Sequence, residues 1–483
     1  MFQLATNYLT FIINIMNKLR ITKNTLLLIL LCLNIGILFM YAYIHIVNMD
    51  EREHLYASYM VHNGYLPYRD FFEHHHPLLW YIFAPFLYFC DNTPYIWYVI
   101  RTFGMAVILG CAYYVYKLMH LISDNKQSAL IAVLIYLSFD IVHISGTEFR
   151  PDNLMILFLL AGLYNYLRYK KELKWPLLAC SYTLFFLSFF TLQKSLFMLI
   201  ALALIITYDA FKNNHIRRQI FLTLAIPLGL TLIYLIYLYY TATLKDYFEL
   251  NWLIYLHHSI NYNLIKWHSY IIPLIGVLCT LIPNKSKLPY LSTIKFLYLA
   301  EIITLLLSAT SPQYLLPLYP FLAIILAVTI STIKKEYGYI GILIIFILTT
   351  GFSFYNIYKY PQVPLQGAVH LSKIIISNSK KNDLIIPDML WSGGLRKSAY
   401  GYYWFGLEGD ALLDYKIFHR HTFPNINLII QSRKPKIIAN TDIRNCLDTN
   451  NRITLNCPIE QTIEPHSIGN SYLKSEFIYL RTD

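Results

Sequence analysis

The chain is short of charge. Only 14% of its 483 residues are Asp, Glu, Lys or Arg, against roughly a quarter in an ordinary soluble domain. With 57% hydrophobic residues, that deficit excludes a soluble globule and implies a polytopic membrane protein. Acidic side chains are the scarcer kind, 27 against 39 basic, for a net charge of +12. The basic residues lie between apolar runs and not on one face, which excludes a nucleic-acid partner. The sequence also lacks internal repeats, low-complexity segments, a HExxH motif and a Gly-x-Ser-x-Gly motif. An intramembrane protease would therefore lack its metal site or nucleophile. A cleavable signal is missing too, because Lys18, Arg20 and Lys23 precede an apolar run too long for one. Cysteine is sparse. Cys32, Cys90, Cys111, Cys180 and Cys279 sit in or beside apolar runs, where cysteine behaves as a small hydrophobe. Cys446 and Cys457 lie in the polar tail, and in an oxidising compartment they either close a disulfide loop or stay isolated.

What is present is a series of apolar runs, each near the roughly twenty residues that a spanning helix needs. They lie near 25–47, 95–116, 128–146, 153–168, 175–191, 195–211, 220–240, 269–283, 289–308, 314–333 and 337–357, about eleven in all. The run 77–90 is too short to span and reads as an interfacial or re-entrant segment. With it excluded, one side of the membrane receives the dense basic clusters, such as Arg168, Lys170, Lys171 and Lys174 or Lys212, Arg217 and Arg218. The positive-inside rule then puts residues 1–24 in the cytoplasm. The transmembrane domain is 25–357, with its first outer loop at 48–94, and the tail 358–483 lies outside. That tail changes character. "DLIIPD", "PKIIAN" and "SEFIYLRTD" read as short strands and "NINLIIQS" as a helix, so a small extracytoplasmic α/β domain is expected. The Ile-, Asn- and Lys-rich composition of the whole chain points to a bacterium, hence an inner (plasma) membrane.

The first outer loop concentrates the chemistry: "NMDEREHLYASYMVHNGYLPYRDFFEHHHPLLW". Leu55, Tyr56, Tyr59 and Met60 share one helical face, and Asn63-Gly64 supplies a stop. Asp50 and Glu53 have the spacing of a capping box, which would make Asp50 a mere cap. A second acidic site, "GTEFRPDNLMILF", carries Glu148, Arg150 and Asp152, with Pro151 suited to a first helical position. Lys194 stands in a tight outer hairpin, where it either snorkels or binds an anion at lipid-phosphate level. Arg101 opens the second span on the same level. Ionisable groups at membrane depth are functional candidates. The histidine run 74–76 is unusual. Adjacent residues usually point different ways, so the alternatives are neutral imidazoles or a divalent metal ion held by His74 or His75 plus a carboxylate. His257 and His258, between Trp252 and Trp267, read as part of an interfacial aromatic belt.

Residues 48–80 resemble the first outer loop of the GT-C superfamily of polyprenyl-phosphate-sugar glycosyltransferases. The branch is that of protein O-mannosyltransferases, lipid A aminoarabinose transferases and lipopolysaccharide-core transferases. The resemblance rests on Asp50-Glu51 after the first span, the turn Gly64, Pro67, Tyr68, Asp70, and a Pro-Leu pair opening an interfacial helix. "RPDNL" and "SPQYLLPLYPFLAII" are similar to later family motifs, although Gln313 stands where a basic residue is expected. The fold so implied is an all-α polytopic GT-C-like bundle with a small C-terminal α/β domain. The activity implied is inverting transfer of a sugar from a polyprenyl phosphate to a glycan, lipid or protein acceptor. By the resemblance, Asp50 is the general base and Glu51 its acidic neighbour. Asp152, with Glu148 competing, positions the acceptor or assists. Lys194, Arg101 and His76 face the donor phosphate, and Tyr68, Arg69 and Asp70 form a substrate loop. The rival class is a multi-span transporter or lipid flippase. It is disfavoured because the charges cluster at one face and no paired halves are evident.

Overall fold

The computed structural model describes residues 22–45, 47–253, 271–282, 288–308, 312–332, 346, 351, 365–386, 396–402, 426–439, 472–474 and 478–481. The chain begins with α1 (Lys23–Ile44), followed by two shorter helices, α2 (Met49–His62) and α3 (Leu78–Cys90). The bundle continues with α4 (Ile96–Ser123), α5 (Lys126–Ser138), α6 (Asp140–Ile144), α7 (Pro151–Glu172), α8 (Trp175–Thr191) and α9 (Ser195–Lys212). Next come α10 (Asn214–Thr223), α11 (Ala225–Tyr240), α12 (Leu244–Phe248), α13 (Ile271–Leu281), α14 (Leu291–Ser308) and α15 (Tyr319–Thr332). A π turn at Glu249–Leu253 follows α12, and a 3-10 stretch, Pro312–Leu318, leads into α15.

Ten of the eleven expected spans fall on these helices. The eleventh, 337–357, lies almost wholly outside the described residues, as does the Cys446–Cys457 pair. Among the described residues five helices are long and apolar enough to cross a membrane: Asn24–Ile44, Ile96–Ser123, Ser195–Lys212, Asn214–Tyr240 and Gln313–Ser331. The run 77–90 forms the thirteen-residue α3, too short to span. The chain is an integral membrane protein built as a helical bundle.

Among the described residues two large apolar cores organise it, with a small third one at Ile386, Ala399, Ile429 and Ile430. The first lies within the bundle and includes Ile108, Leu134, Leu159, Tyr166, Leu202 and Phe321. The second lies where the outer loop meets the bundle. It joins Tyr56 and Met60 of α2, Trp80 and Phe83 of α3, and Trp97 and Ile100 of α4. Leu55, Tyr56, Tyr59 and Met60 are all buried, as their shared helical face implies.

The second core also takes in the C-terminal segment. Leu365, Leu371 and Ile375 of α16 (Leu365–Asn378) pack into it, as do Ile385 and Ile437. Those last two belong to a five-stranded sheet ordered β2-β1-β3-β5-β4. Its strands are β1 (Leu384–Ile386), β2 (Lys397–Ser398), β3 (Ile437–Ala439), β4 (Tyr472–Lys474) and β5 (Ile478–Arg481). Strands β2, β1 and β3 are parallel, while β5 and β4 are antiparallel to their neighbours. α17 (Ile426–Arg433) precedes β3. Strands β1, β3 and β5 fall within "DLIIPD", "PKIIAN" and "SEFIYLRTD", and α17 covers most of "NINLIIQS"; β2 and β4 lie outside the expected stretches.

Polar contacts fasten sheet to loop. The Trp97 Nε1–H donates to Ser372 Oγ at 2.7 Å, the Ser398 N–H to Tyr56 Oη at 3.1 Å, and the Phe72 N–H to the Tyr402 carbonyl at 2.9 Å.

Helix α4 approaches the segment before α7 so closely that only a glycine fits. A Cβ on Gly104 would lie 2.6 Å from the Thr147 carbonyl oxygen. That oxygen belongs to backbone and cannot swing away. Gly104→Ala is therefore expected to cost about 1–3 kcal/mol as overpacking, read as a lower melting temperature of the detergent-solubilised protein.

Candidate active site

Helix α2 starts differently from the expected capping box. Its N-cap is Asn48, whose side chain accepts the Asp50 N–H at 3.4 Å, while Glu51 reaches back to the Asn48 N–H at 3.0 Å. The cap role therefore passes from Asp50 to Asn48, and the box partner is Glu51, not Glu53. Asp50 is left in the first turn, where the helix dipole favours an anion, and its side chain is one-third exposed.

Glu51 is fully buried and has a structural task. Its Oε2 meets Arg101 Nη2 at 2.5 Å, and its Oε1 accepts the Phe149 N–H at 2.9 Å. Arg101 is itself fully buried against this carboxylate, so its charge is spent inside the protein.

The bond to Phe149 fixes the next residue, Arg150, beside Asp50. The Arg150 guanidinium pairs with Asp50 and lies 3.6 Å from Glu148 and 3.4 Å from Asp152. Pro151 opens α7, so Asp152 occupies its first turn as expected. Asn153 holds the segment from within by donating to the carbonyls of Ser145, Gly146 and Glu148. Glu148 accepts from Asn48 Nδ2 at 3.2 Å. Burial pushes Glu148 up to about 7, against the pull of Arg150.

Lys194 completes this group. It is exposed, its Nζ lies 3.6 Å from the Tyr314 ring centre, and its charge reaches Asp152. The cation–π contact holds the ammonium at the mouth of the cluster without neutralising it. Gln193, the preceding residue, donates to the His74 carbonyl at 2.9 Å, which ties the hairpin to the outer loop.

The histidines part company. His76 is buried, donates its Nδ1–H to the Phe189 carbonyl at 2.6 Å and accepts from Tyr247 Oη at 3.0 Å. Both ring nitrogens are thus used, and burial lowers its pKa to about 4. His74 and His75 turn together toward Glu53 and Glu73, with ring centres 4.1 Å apart. The expectation that neighbours diverge fails here because 73–75 is irregular backbone without strand alternation. Although burial opposes its charge, Glu53 and Glu73 push His75 up to about 10. Burial and the Glu53 charge hold Glu73 well above the carboxylate range.

The expected substrate loop is largely a built turn. Gly64 has φ +82° and Tyr68 φ +70°. Asp70 Oδ2 accepts the Leu66 N–H at 2.7 Å, and Tyr68 Oη donates to the His75 carbonyl at 2.8 Å. Arg69 is the exposed member, held by Asp70 at 2.8 Å.

No family model matches the chain, and no curated protein does. Solved structures do. ArnT from Cupriavidus metallidurans bound to undecaprenyl phosphate matches with a TM-score of 0.56 at 10% identity, over 86% of this chain and 94% of that one. ArnT in the apo state matches with a TM-score of 0.52 at 10% identity, over 86% and 93%. The chain has the fold of ArnT. The resemblance carried by residues 48–80 thus holds at the level of the fold.

Within this ArnT-like frame, Asp50, Glu148 and Asp152 meet at Arg150, and the charge of Lys194, seated on Tyr314, reaches Asp152. Arg101 and Glu51 lie behind them as a buried pair, and His76 is enclosed. Sequence reading missed three parts of the site: Arg150 as its hub, Glu53 and Glu73 as a pair, and Tyr314 as the seat of Lys194. Arg150 carried a usable signal, since it lies between two acids at a helix start.

The split between Asp50 and Glu51 is measurable. Glu51→Gln removes the buried carboxylate that pairs with Arg101 and is expected to cost about 3–5 kcal/mol. Asp50→Asn, at a partly exposed position, is expected to leave the melting temperature nearly unchanged. Thermal unfolding of the two variants in detergent makes the comparison.

Proposed function

We propose that the chain is an inverting membrane glycosyltransferase that moves a sugar from a polyprenyl phosphate to an acceptor on the extracytoplasmic face. The observation that carries this reading is the gathering of Asp50, Glu148 and Asp152 around Arg150, with Lys194 beside them, in a chain with the fold of ArnT. ArnT binds undecaprenyl phosphate. An undecaprenyl-phosphate sugar is therefore the donor to try first. The acceptor is a cell-envelope glycan, lipid A or a protein. The membrane is the bacterial inner membrane, with the N-terminus in the cytoplasm and the C-terminal segment outside.

In this reading Asp50 accepts the proton of the acceptor hydroxyl or amine as that atom forms its bond to the anomeric carbon. The bond from that carbon to the phosphate oxygen breaks, and polyprenyl phosphate leaves with the electron pair. Attack on the face opposite the phosphate inverts the centre. The transition state is oxocarbenium-like, so the carboxylates also stabilise its charge. Lys194 is the exposed cation set to meet the leaving phosphate. Arg150 orients Asp50, and Asp152 positions the acceptor.

Transfer from undecaprenyl-phosphate sugar in proteoliposomes tests the scheme. Asp50→Asn is expected to abolish turnover while the protein still inserts. Undiminished turnover would remove Asp50 from the mechanism. Lys194→Ala removes a charge-assisted contact of about 1.5–3 kcal/mol, so KM for the lipid donor should rise roughly ten- to a hundred-fold.

A pH dependence follows from Glu148, whose pKa is about 7. Below it Glu148 is neutral and leaves Arg150 to Asp50 and Asp152. Above it the ionised Glu148 competes for Arg150 and loosens its grip on Asp50. The rate is expected to rise with pH through that value, and Glu148→Gln to flatten the rise.

A further inference from the structure

Glu53, Glu73, His74 and His75 stand beside the Arg150 cluster but form no part of it. One ligand atom from each lies within 4.8 Å of every other. The His75 Nδ1 is 3.0 Å from Glu73 Oε1 and 3.5 Å from Glu53 Oε1. The His74 Nδ1 is 3.6 Å from Glu53 Oε1 and 3.8 Å from Glu73 Oε1. Ligands about 2.0–2.1 Å from a tetrahedral zinc ion stand about 3.3 Å from one another. The four separations bracket that edge length.

Two further features point to a cation. Glu73 is completely buried, yet its Oε2 makes no hydrogen bond. A buried carboxylate oxygen left this way is costly. Charge also balances: two carboxylates and two neutral imidazoles match one divalent ion. Magnesium and calcium favour shells of oxygen alone, at six or more positions. Two imidazole nitrogens among four ligands select the zinc class.

We propose that Glu53, Glu73, His74 and His75 form a closed four-ligand site for a zinc-class divalent cation, which clamps helix α2 to the segment 73–75. All four tetrahedral positions are taken by protein atoms, so the ion holds structure and offers no open position. What it clamps matters to its surroundings. The His74 carbonyl receives Gln193, next to Lys194, and the His75 carbonyl receives Tyr68. The site stands on its own residues and does not depend on the transferase reading.

The test uses the full chain in detergent, free of any affinity tag. After zinc supplementation and exhaustive dialysis, elemental analysis is expected to find about one zinc per chain. Chelation should lower the melting temperature, and zinc but not magnesium should restore it. The double variant Glu73→Gln/His75→Ala should lose the ion. His62→Ala, whose ring faces Asp91 at 3.7 Å, should keep it. Zinc far below one per native chain, with no shift in melting on chelation, would overturn the site without recourse to any variant. Wild-type stoichiometry in the double variant would overturn it too, as adventitious binding elsewhere.

Discussion

The carboxylate of Glu51 joins three pieces of chain that are distant in sequence. It closes the first turn of α2, neutralises Arg101 on α4 and receives the Phe149 N–H ahead of α7. Its neighbours inherit the consequence. Asp50 precedes it by one residue and Arg150 follows Phe149 by one, so the two are brought into contact. A buried ion pair contributes little net stability when it can be exchanged for apolar packing. Its value here is registry: it sets which residue of α2 faces which residue of the loop before α7. The convergence of acids around Arg150 descends from that registry.

The assembly around residues 48–80 serves to hold this arrangement against the bundle. In a bilayer the apolar effect does little to bring helices together, because lipid is as greasy as leucine. The second core is of a different kind. It is built from α2, α3, the start of α4, α16 and the sheet, and it is rich in aromatic rings with polar handles. Trp97 to Ser372 and Tyr68 to His75 show the pattern: a buried ring packs while its single donor finds one acceptor. The polar groups of the site therefore rest on a rigid apolar floor.

Hydropathy made the bundle legible, because a spanning helix must satisfy its backbone internally and cover itself with apolar side chains. The short length of 77–90 likewise announced a helix that does not cross. Strands β1, β3 and β5 were readable as isoleucine-rich runs between turn residues. The site was legible in part. Asp50, Glu148, Asp152 and Lys194 stood out as charges at helix ends; the three acids share Arg150, and Lys194 acts on Asp152 through its charge. The identity of the cap was not legible, since Asn48 and Asp50 both suit it and the choice falls to Glu51, whose partners lie about fifty and a hundred residues away. The pairing of His74 with His75 was hidden for a related reason. Alternation is a rule for strands, and this segment takes its shape from the Asp70 turn and from Gln193.

A late segment of the sequence, residues 396–402, lies against an early one, residues 56–72. Ser398 and Tyr402 complete hydrogen bonds of Tyr56 and Phe72, and Lys397 meets Tyr65 at 2.8 Å. Chains are made from the N-terminus and fold as they appear. Residues 56–72 thus wait, half-finished, until the helices between them and residues 396–402 have been made. A polypeptide still leaving the ribosome carries Asp50 and Arg150 but not the wall that supports them, so completion of the site is coupled to synthesis of the segment that follows the bundle.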